Sequence, residues 1–231
     1  YELDLDAAAA AYLAAERFAR YEITLRQHIP CARIETIDVY GNHGVPGGRK
    51  AGALPPTLNF DWLMYQIKED LTEKYTLEAQ LDSLRETDEE AVLTPITHHI
   101  PEAWFQLWRA QGWTFLTIHG EDIKGYMGTP YYGINRADAE YLRMLNENFT
   151  YFVLGHHHQQ ASLASSGNGE KFINGTWVGA SHLSAKMMRA GGVPKQLMFV
   201  VHEKRGVVGR WPLHLENENI LISQYKPSVV E

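Results

Sequence analysis

The chain has 231 residues and a mass of 26.3 kDa, and its 45% hydrophobic and 21% charged residues describe a globular protein with material for a core. That composition excludes a disordered, collagen-like or coiled-coil chain. Twenty-one Lys and Arg against 28 Asp and Glu give a net charge of −7, so no overall basic field draws in nucleic acid; a local patch or bound cations can still reverse the sign at a site.

Residues 6–27 are rich in alanine, lack Gly and Pro, and predict a helix, with Asp4 and Asp6 as capping residues ahead of it. Pro30 ends that segment, and residues 33–40 predict a strand running into Gly41-Asn42-His43-Gly44. Glycines and prolines make residues 44–57 a long irregular loop. A second helix is expected over 59–74, where Phe60, Leu63, Met64, Ile67 and Leu71 recur at helical spacing. Residues 76–99 read as two strands around an acidic turn at 86–90, and 101–111 as an aromatic-rich helix. A buried strand over 114–118 ends at His119-Gly120. A glycine-rich loop over 125–133 leads to a helix at 137–147, and a second buried strand over 151–154 ends at Gly155-His156-His157-His158. Short strands follow at 171–173, 197–202 and 206–211, with Lys204-Arg205-Gly206 as a hairpin turn. No repeat or linker interrupts the chain, which reads as one mixed α/β domain over 1–231.

Three strands therefore end in glycine beside His or Asn. In α/β sheets the loops that follow strand ends converge on ligands. Imidazole nitrogens suit zinc, manganese, iron and nickel, and an amide oxygen completes such a set. Asn42, His119, His156 and His158 form a candidate metal constellation on this ground. His157, between two proposed ligands, points elsewhere in an extended turn. His98 and His99 follow a predicted strand and read as a surface pair, with reach to the site as the alternative, and His182 has no assigned role. The single cysteine, Cys31, excludes an internal disulfide and a thiolate zinc cluster, and reads as buried and inert. No apolar run reaches the roughly 18–20 residues of a membrane span, and a cytoplasmic protein is expected.

The ordered trio Gly41-Asn42-His43, His119-Gly120 and Gly155-His156-His157-His158, each after a strand, resembles the calcineurin-like metallophosphoesterases over most of the chain. The resemblance implies a two-sheet sandwich flanked by helices in four αββα layers. It also implies two divalent metal ions, manganese first, with iron, zinc or nickel as alternatives. Asn42, His119 and His156 would bind one ion and His158 the other, while His43 would serve as general acid or stabilise charge beside the phosphate. The implied reaction is phosphoester hydrolysis by metal-activated hydroxide attack. Two departures accompany it. Gly44 stands where that family usually carries a carboxylate, and no Asp-x-His or Gly-Asp motif precedes Asn42. Together with Tyr1 in place of Met, this leads us to expect a chain lacking its N-terminal metal-binding strands and nearly inactive by itself.

The stretches Gly120-Glu121-Asp122-Ile123-Lys124-Gly125-Tyr126 and Asn174-Gly175-Thr176-Trp177 resemble phage and SbcD-like repair nucleases, implying a phosphodiesterase acting on DNA, with a homodimer consistent with that branch. Arg49 and Lys50 are candidate contacts to a nucleic-acid backbone. Trp104, Trp108 and Trp113 are either base-stacking residues or ordinary core. The alternatives are a phosphomonoesterase acting on protein or small molecules, and a non-catalytic binding protein that lacks the first half of the metal site.

Overall fold

The structure, a computed structural model, describes residues 6–46, 54–89, 91–125, 130–165, 169–177, 179 and 194–215. The fold is mixed α/β, as expected, and its contacts group into two units, one ending at Gln106 and the other beginning at Leu107. Among the described residues no helix is long and apolar enough to cross a membrane.

In the first unit, α1 (Ala7–His28) starts where Asp6 accepts a hydrogen bond from the Ala9 N–H at 2.7 Å, the capping role read from the sequence. Asp4 lies outside the described residues. Helix α2 spans Phe60–Thr87 and is capped by Asn59, whose side chain accepts from the Asp61 N–H at 2.8 Å. It replaces the first of the two strands expected over 76–99. The residues past Lys74 contain no Gly or Pro and are dominated by helix formers, so propagation continues until Asp88 adopts a left-handed conformation, φ 60°. The helices run parallel: Ala11 and Ala15 pack against Met64, Glu22 meets Thr72 and Arg26 meets Thr76. Alanines allow this close approach because they carry nothing beyond Cβ. Strands β1 (Ile34–Ile37) and β2 (Ile96–His99) pair in parallel with Ile37 opposite His99, and the ladder extends one bond further, from the Asp38 N–H to the His99 carbonyl at 3.1 Å.

A buried polar cluster joins these elements. Lys68 Nζ from α2 lies 2.9 Å from both oxygens of Asp38 and 3.2 Å from Glu22 Oε1 of α1, and it donates to Thr36 Oγ1 at 3.2 Å. His98 sets Nδ1 3.0 Å from Thr36 Oγ1 and Nε2 3.5 Å from Glu22 Oε2. The surface pair read from the sequence is thus divided. His98 is buried in the cluster, while His99 is partly exposed and pairs with Glu35. Cys31 is half-buried rather than buried.

In the second unit a five-stranded sheet has the order β3 (Phe105–Ala110), β4 (Trp113–Ile118), β5 (Tyr151–Leu154), β7 (Glu170–Ile173), β6 (Ala161–Ala164). Strands β4, β5 and β7 are parallel, and β6 runs antiparallel to β7. The helix expected over 101–111 is β3. Its packing alternates, with Trp108 and Ala110 on the core and Arg109 exposed. The two-residue Gln111-Gly112 connection, both at positive φ, closes an antiparallel hairpin with β4. Strand β6 escaped the sequence reading; its Ala-Ser-Leu-Ala is too short and too weakly β-forming to signal itself.

The hairpin of β8 (Lys195–His202) and β9 (Gly206–His214) turns where the sequence placed it. Leu197, Phe199, Val201 and Val207 lay it on Phe115, Tyr151 and Phe172 of the sheet. Trp108 stacks on Phe115 at 4.3 Å, and Phe199 stands 5.8 Å from Phe115 and 5.2 Å from Phe172. Helix α3 (Tyr131–Met144), which begins earlier than expected, covers the other face. There Tyr141 meets Phe152, and Asp138 pairs with Lys171 at 2.9 Å in the interior. The described layers of this unit are helix, sheet and sheet, a sandwich of the kind expected.

Candidate metal centre

In the second unit, register brings two of the predicted strand ends side by side. Ile118 of β4 is opposite Leu154 of β5, so His119 and Gly155 leave the sheet together, and the Gly155 N–H donates to the His119 carbonyl at 3.0 Å. Gly120 follows at φ 104°, a backbone region closed to side-chain-bearing residues, and turns the chain away at once. The result places His119 Nε2 and His156 Nδ1 3.2 Å apart, with ring centroids at 5.0 Å and planes at 72°. His156 and His158 both take left-handed backbone, φ 61° and 54°, and such outliers in non-glycine residues concentrate at functional sites. His158 is exposed. His157 is half-buried, its Nε2 has no hydrogen-bond partner, and burial followed by its two neighbouring histidines lowers its pKa.

The geometry can be tested against a metal. Imidazole nitrogens bind a divalent ion at about 2.0–2.1 Å, so two adjacent ligands stand roughly 3.0–3.4 Å apart. The 3.2 Å of the His119–His156 pair fits neighbouring positions on one ion. Among the described residues no group of three or more His, Cys, Asp or Glu stands at ligand spacing.

Asn174 occupies the same end of the sheet, after β7, but as a fastener. Its Oδ1 accepts from the Gly175 and Leu197 N–H groups, each at 2.9 Å, and its Nδ2 donates to Gln196 at 2.6 Å, tying the hairpin to the end of β7. His182 lies outside the described residues.

In the first unit, Asn42 is half-buried and His43 exposed in the turn after β1. The sequence reading missed what holds this turn. Asp61 accepts from the Gly41 N–H at 2.8 Å, Asn59 Nδ2 donates to the Gly41 carbonyl at 2.9 Å, and the Phe60 N–H donates to the Gly44 carbonyl at 2.8 Å. Burial raises the Asp61 carboxyl pKa, opposed by the Gly41 N–H and by His43. A Cβ on Gly44 would lie 1.9 Å from Asn59 Oδ1 and 2.6 Å from Asp61 Oδ1. The carboxylate that the motif lacks at position 44 is thus supplied from α2, in the space a side chain there would fill. The available signal was Asn59 and Asp61 at a helix start, to which the sequence reading gave no role. Arg49 and Lys50 lie outside the described residues. Of the three tryptophans, Trp108 donates to Thr117 at 2.8 Å within the core and Trp113 packs against it, whereas Trp104 is 56% exposed.

No protein-family model matches the sequence, and no curated protein matches it. Among solved structures, the chain is similar to a single-mutant form of Vps29 from Entamoeba histolytica, at 14% identity and TM-score 0.35 over 53% of this chain and 70% of that one. It is likewise similar to wild-type Vps29 from the same organism complexed with zinc, at 14% identity and TM-score 0.34 over 57% and 74%. A Thermotoga maritima protein solved by solution NMR matches at 11% identity and TM-score 0.31 over 60% and 74%.

Proposed function

We propose that this chain is a divalent-metal-dependent phosphoester hydrolase of the calcineurin-like kind, acting as a phosphodiesterase on nucleic acid. The observation that supports it best is the His119–His156 pair, set at ligand spacing where two adjacent parallel strands end. His119 and His156 hold the ion. Asn42, His158 and His43 enter this reading through their motifs, Asn42 and His158 as further ligands and His43 as proton donor to the leaving oxygen, a role typically worth about 10²–10⁴-fold. Exposure of His43 suits a group that must reach substrate. Arg49 and Lys50 contact the substrate backbone in this reading. A bound divalent ion supplies Lewis-acid polarisation of the phosphoryl group and acidifies water at neutral pH.

A second reading, a metal-binding module without turnover, is favoured by the absence of a third His, Cys, Asp or Glu ligand among the described residues. Calorimetry with manganese and zinc, followed by digestion of linear DNA against a phosphomonoester, separates the readings. Metal binding that His119→Ala removes, with only weak metal-dependent cleavage of DNA by this chain and none of the monoester, is the expected outcome. Binding without hydrolysis selects the second reading, and hydrolysis of the monoester alone selects a phosphomonoesterase. Absence of metal binding overturns the assignment of the pair.

A further inference from the structure

We propose that one buried proton, carried on Glu22 Oε2 and aimed at His98 Nε2, latches the helices of the first unit to its strands, and that its loss as the pH rises loosens this joint. The latch shares no residue with the His119–His156 pair and is independent of the metal-centre reading.

Four ionisable side chains meet in the cluster, Glu22 from α1, Lys68 from α2, Asp38 just past β1 and His98 from β2, each between 3% and 10% exposed. With both carboxyls ionised and the imidazole neutral, these four groups carry a charge of −1 in the interior. A buried charge without a partner takes up a proton rather than stay ionised, and one proton restores neutrality here. The contacts select the carboxyl that takes it. Both oxygens of Asp38 lie 2.9 Å from Lys68 Nζ, whereas Glu22 meets Lys68 through Oε1 alone, at 3.2 Å. Asp38 is therefore the ionised partner of Lys68, and Glu22 is the acid.

Beyond Glu22 Oε2 stands His98 Nε2, 3.5 Å away and buried without a hydrogen-bond partner. Thr36 fixes the tautomer of that ring. Its one hydroxyl proton is directed at Asp38 Oδ2 at 3.4 Å, so its oxygen accepts from Lys68 at 3.2 Å and from His98 Nδ1 at 3.0 Å. A neutral ring that donates from Nδ1 presents Nε2 as an acceptor. An O–H on Glu22 pointed at that nitrogen satisfies the orphaned atom and cancels the excess charge together. Burial raises the Glu22 carboxyl pKa against Lys68 and Thr72, with Asp38 adding to the rise, while burial, Lys68 and His99 lower that of His98. The other polar and ionisable groups nearby are engaged: Thr72 donates to Glu22 Oε2, Arg26 to Thr76, Tyr65 to the Val39 carbonyl, and His99 pairs with Glu35.

The sign follows from linkage. The closed form keeps the proton, and an opened form, with Glu22 in water, releases it above about pH 4.3. From there to the raised value, opening becomes about tenfold easier per pH unit on account of Glu22, and above it the effect levels off. His98 acts in the opposite sense below about pH 6.5, so the latch is read against Glu22→Gln, which keeps that contribution.

Infrared spectroscopy reads the acid directly. At pH 6, where an ordinary carboxyl is almost wholly ionised, the native protein should show the carbonyl band of a protonated carboxylic acid, and Glu22→Gln should lack it. The side-chain amide in that variant still offers a donor to His98 Nε2, so the fold is expected to survive. Absence of the band from the native protein overturns the proposal, as does a band that persists in Glu22→Gln. Nitrogen-15 NMR on labelled histidine should find His98 neutral with Nδ1 protonated at pH 6; an imidazolium there overturns the assignment of the proton to Glu22. Hydrogen exchange then reads the latch at the Asp38 amide, which bonds the His99 carbonyl at the end of the β1–β2 ladder. Its protection in the native protein, taken as a ratio to Glu22→Gln so that intrinsic base catalysis cancels, should fall about tenfold per pH unit from pH 5 upward before levelling. A ratio that stays constant from pH 5 to 9 means that no proton is lost on opening, and overturns the latch.

Discussion

At the scale of single residues, Gly44 separates what a motif says from what a site requires. The sequence marks it only as a departure from an expected carboxylate. The structure shows a position with no room for a methyl group, because the capping side chain of α2 and Asp61 already fill it. Asn59 is 8% exposed and holds bonds on both sides, so it cannot swing away cheaply. Gly44→Ala is therefore expected to destabilise the first unit by about 1–3 kcal/mol, read as a shift in urea midpoint. A change under about 0.5 kcal/mol, the range of an ordinary surface substitution, would mean that the turn has slack. The residue that supports the turn was invisible to motif reading because Asp61 is 17 or more positions away from the turn's own residues and looked like a first-turn acid.

At the scale of elements, the buried cluster is what joins α1, α2, β1 and β2. Lys68 compensates both Glu22 and Asp38, whose pKa values burial raises and Lys68 pulls down. Lys68→Met leaves two carboxylates buried without a cation and should cost about 3–5 kcal/mol, measured by chemical denaturation. Little change would show that water reaches the cluster.

His98 gives this cluster a pH dependence. Burial, then Lys68 and then His99 lower its pKa to about 4, so the ring is neutral in the fold. Above about pH 6.5 it is neutral in both states, and its contribution to stability is fully present. As pH falls toward 4 the unfolded chain takes up a proton that the folded one refuses, and stability is lost. Glu22 and Asp38 titrate in the opposite sense in any variant that keeps them. The native protein should thus lose about 2 kcal/mol more than His98→Gln between pH 7.5 and 5. Parallel losses in the two proteins would mean that Glu22, 3.5 Å away, holds the imidazolium in the fold.

Helix α2 makes a related point about legibility. Periodicity located its first four turns, but its continuation past Lys74 lacks a buried stripe: Leu77, Leu81 and Leu84 are exposed. Pattern reading looks for burial and found none, while intrinsic propensity carried the helix on.

At the scale of the whole molecule, charge sets the expected mode of nucleic-acid binding. A chain with a net charge of −7 lacks the dense basic track that releases many counterions. Under the proposed nucleic-acid reading, binding through a few cations predicts a shallow salt dependence, a log–log slope of about −1 to −2 on single strands. A slope steeper than about −4, measured by anisotropy from 50 to 200 mM salt, would instead require an extended basic surface.

Sequence alone determined the mixed α/β class, the two helices and two of the parallel strands around which the units form, and the glycine-flanked histidines at strand ends. These are local matters, set by periodicity, propensity and turn chemistry within a few residues. Only tertiary structure decided that His119 and His156 lie at ligand spacing, because strand register fixes that distance. It alone divided His98 from His99, showed residues 105–110 to be a strand, and left Trp104 exposed while Trp108 and Trp113 entered the core. Each of these depends on which distant surface a residue meets, and the local pattern of a chain does not encode that.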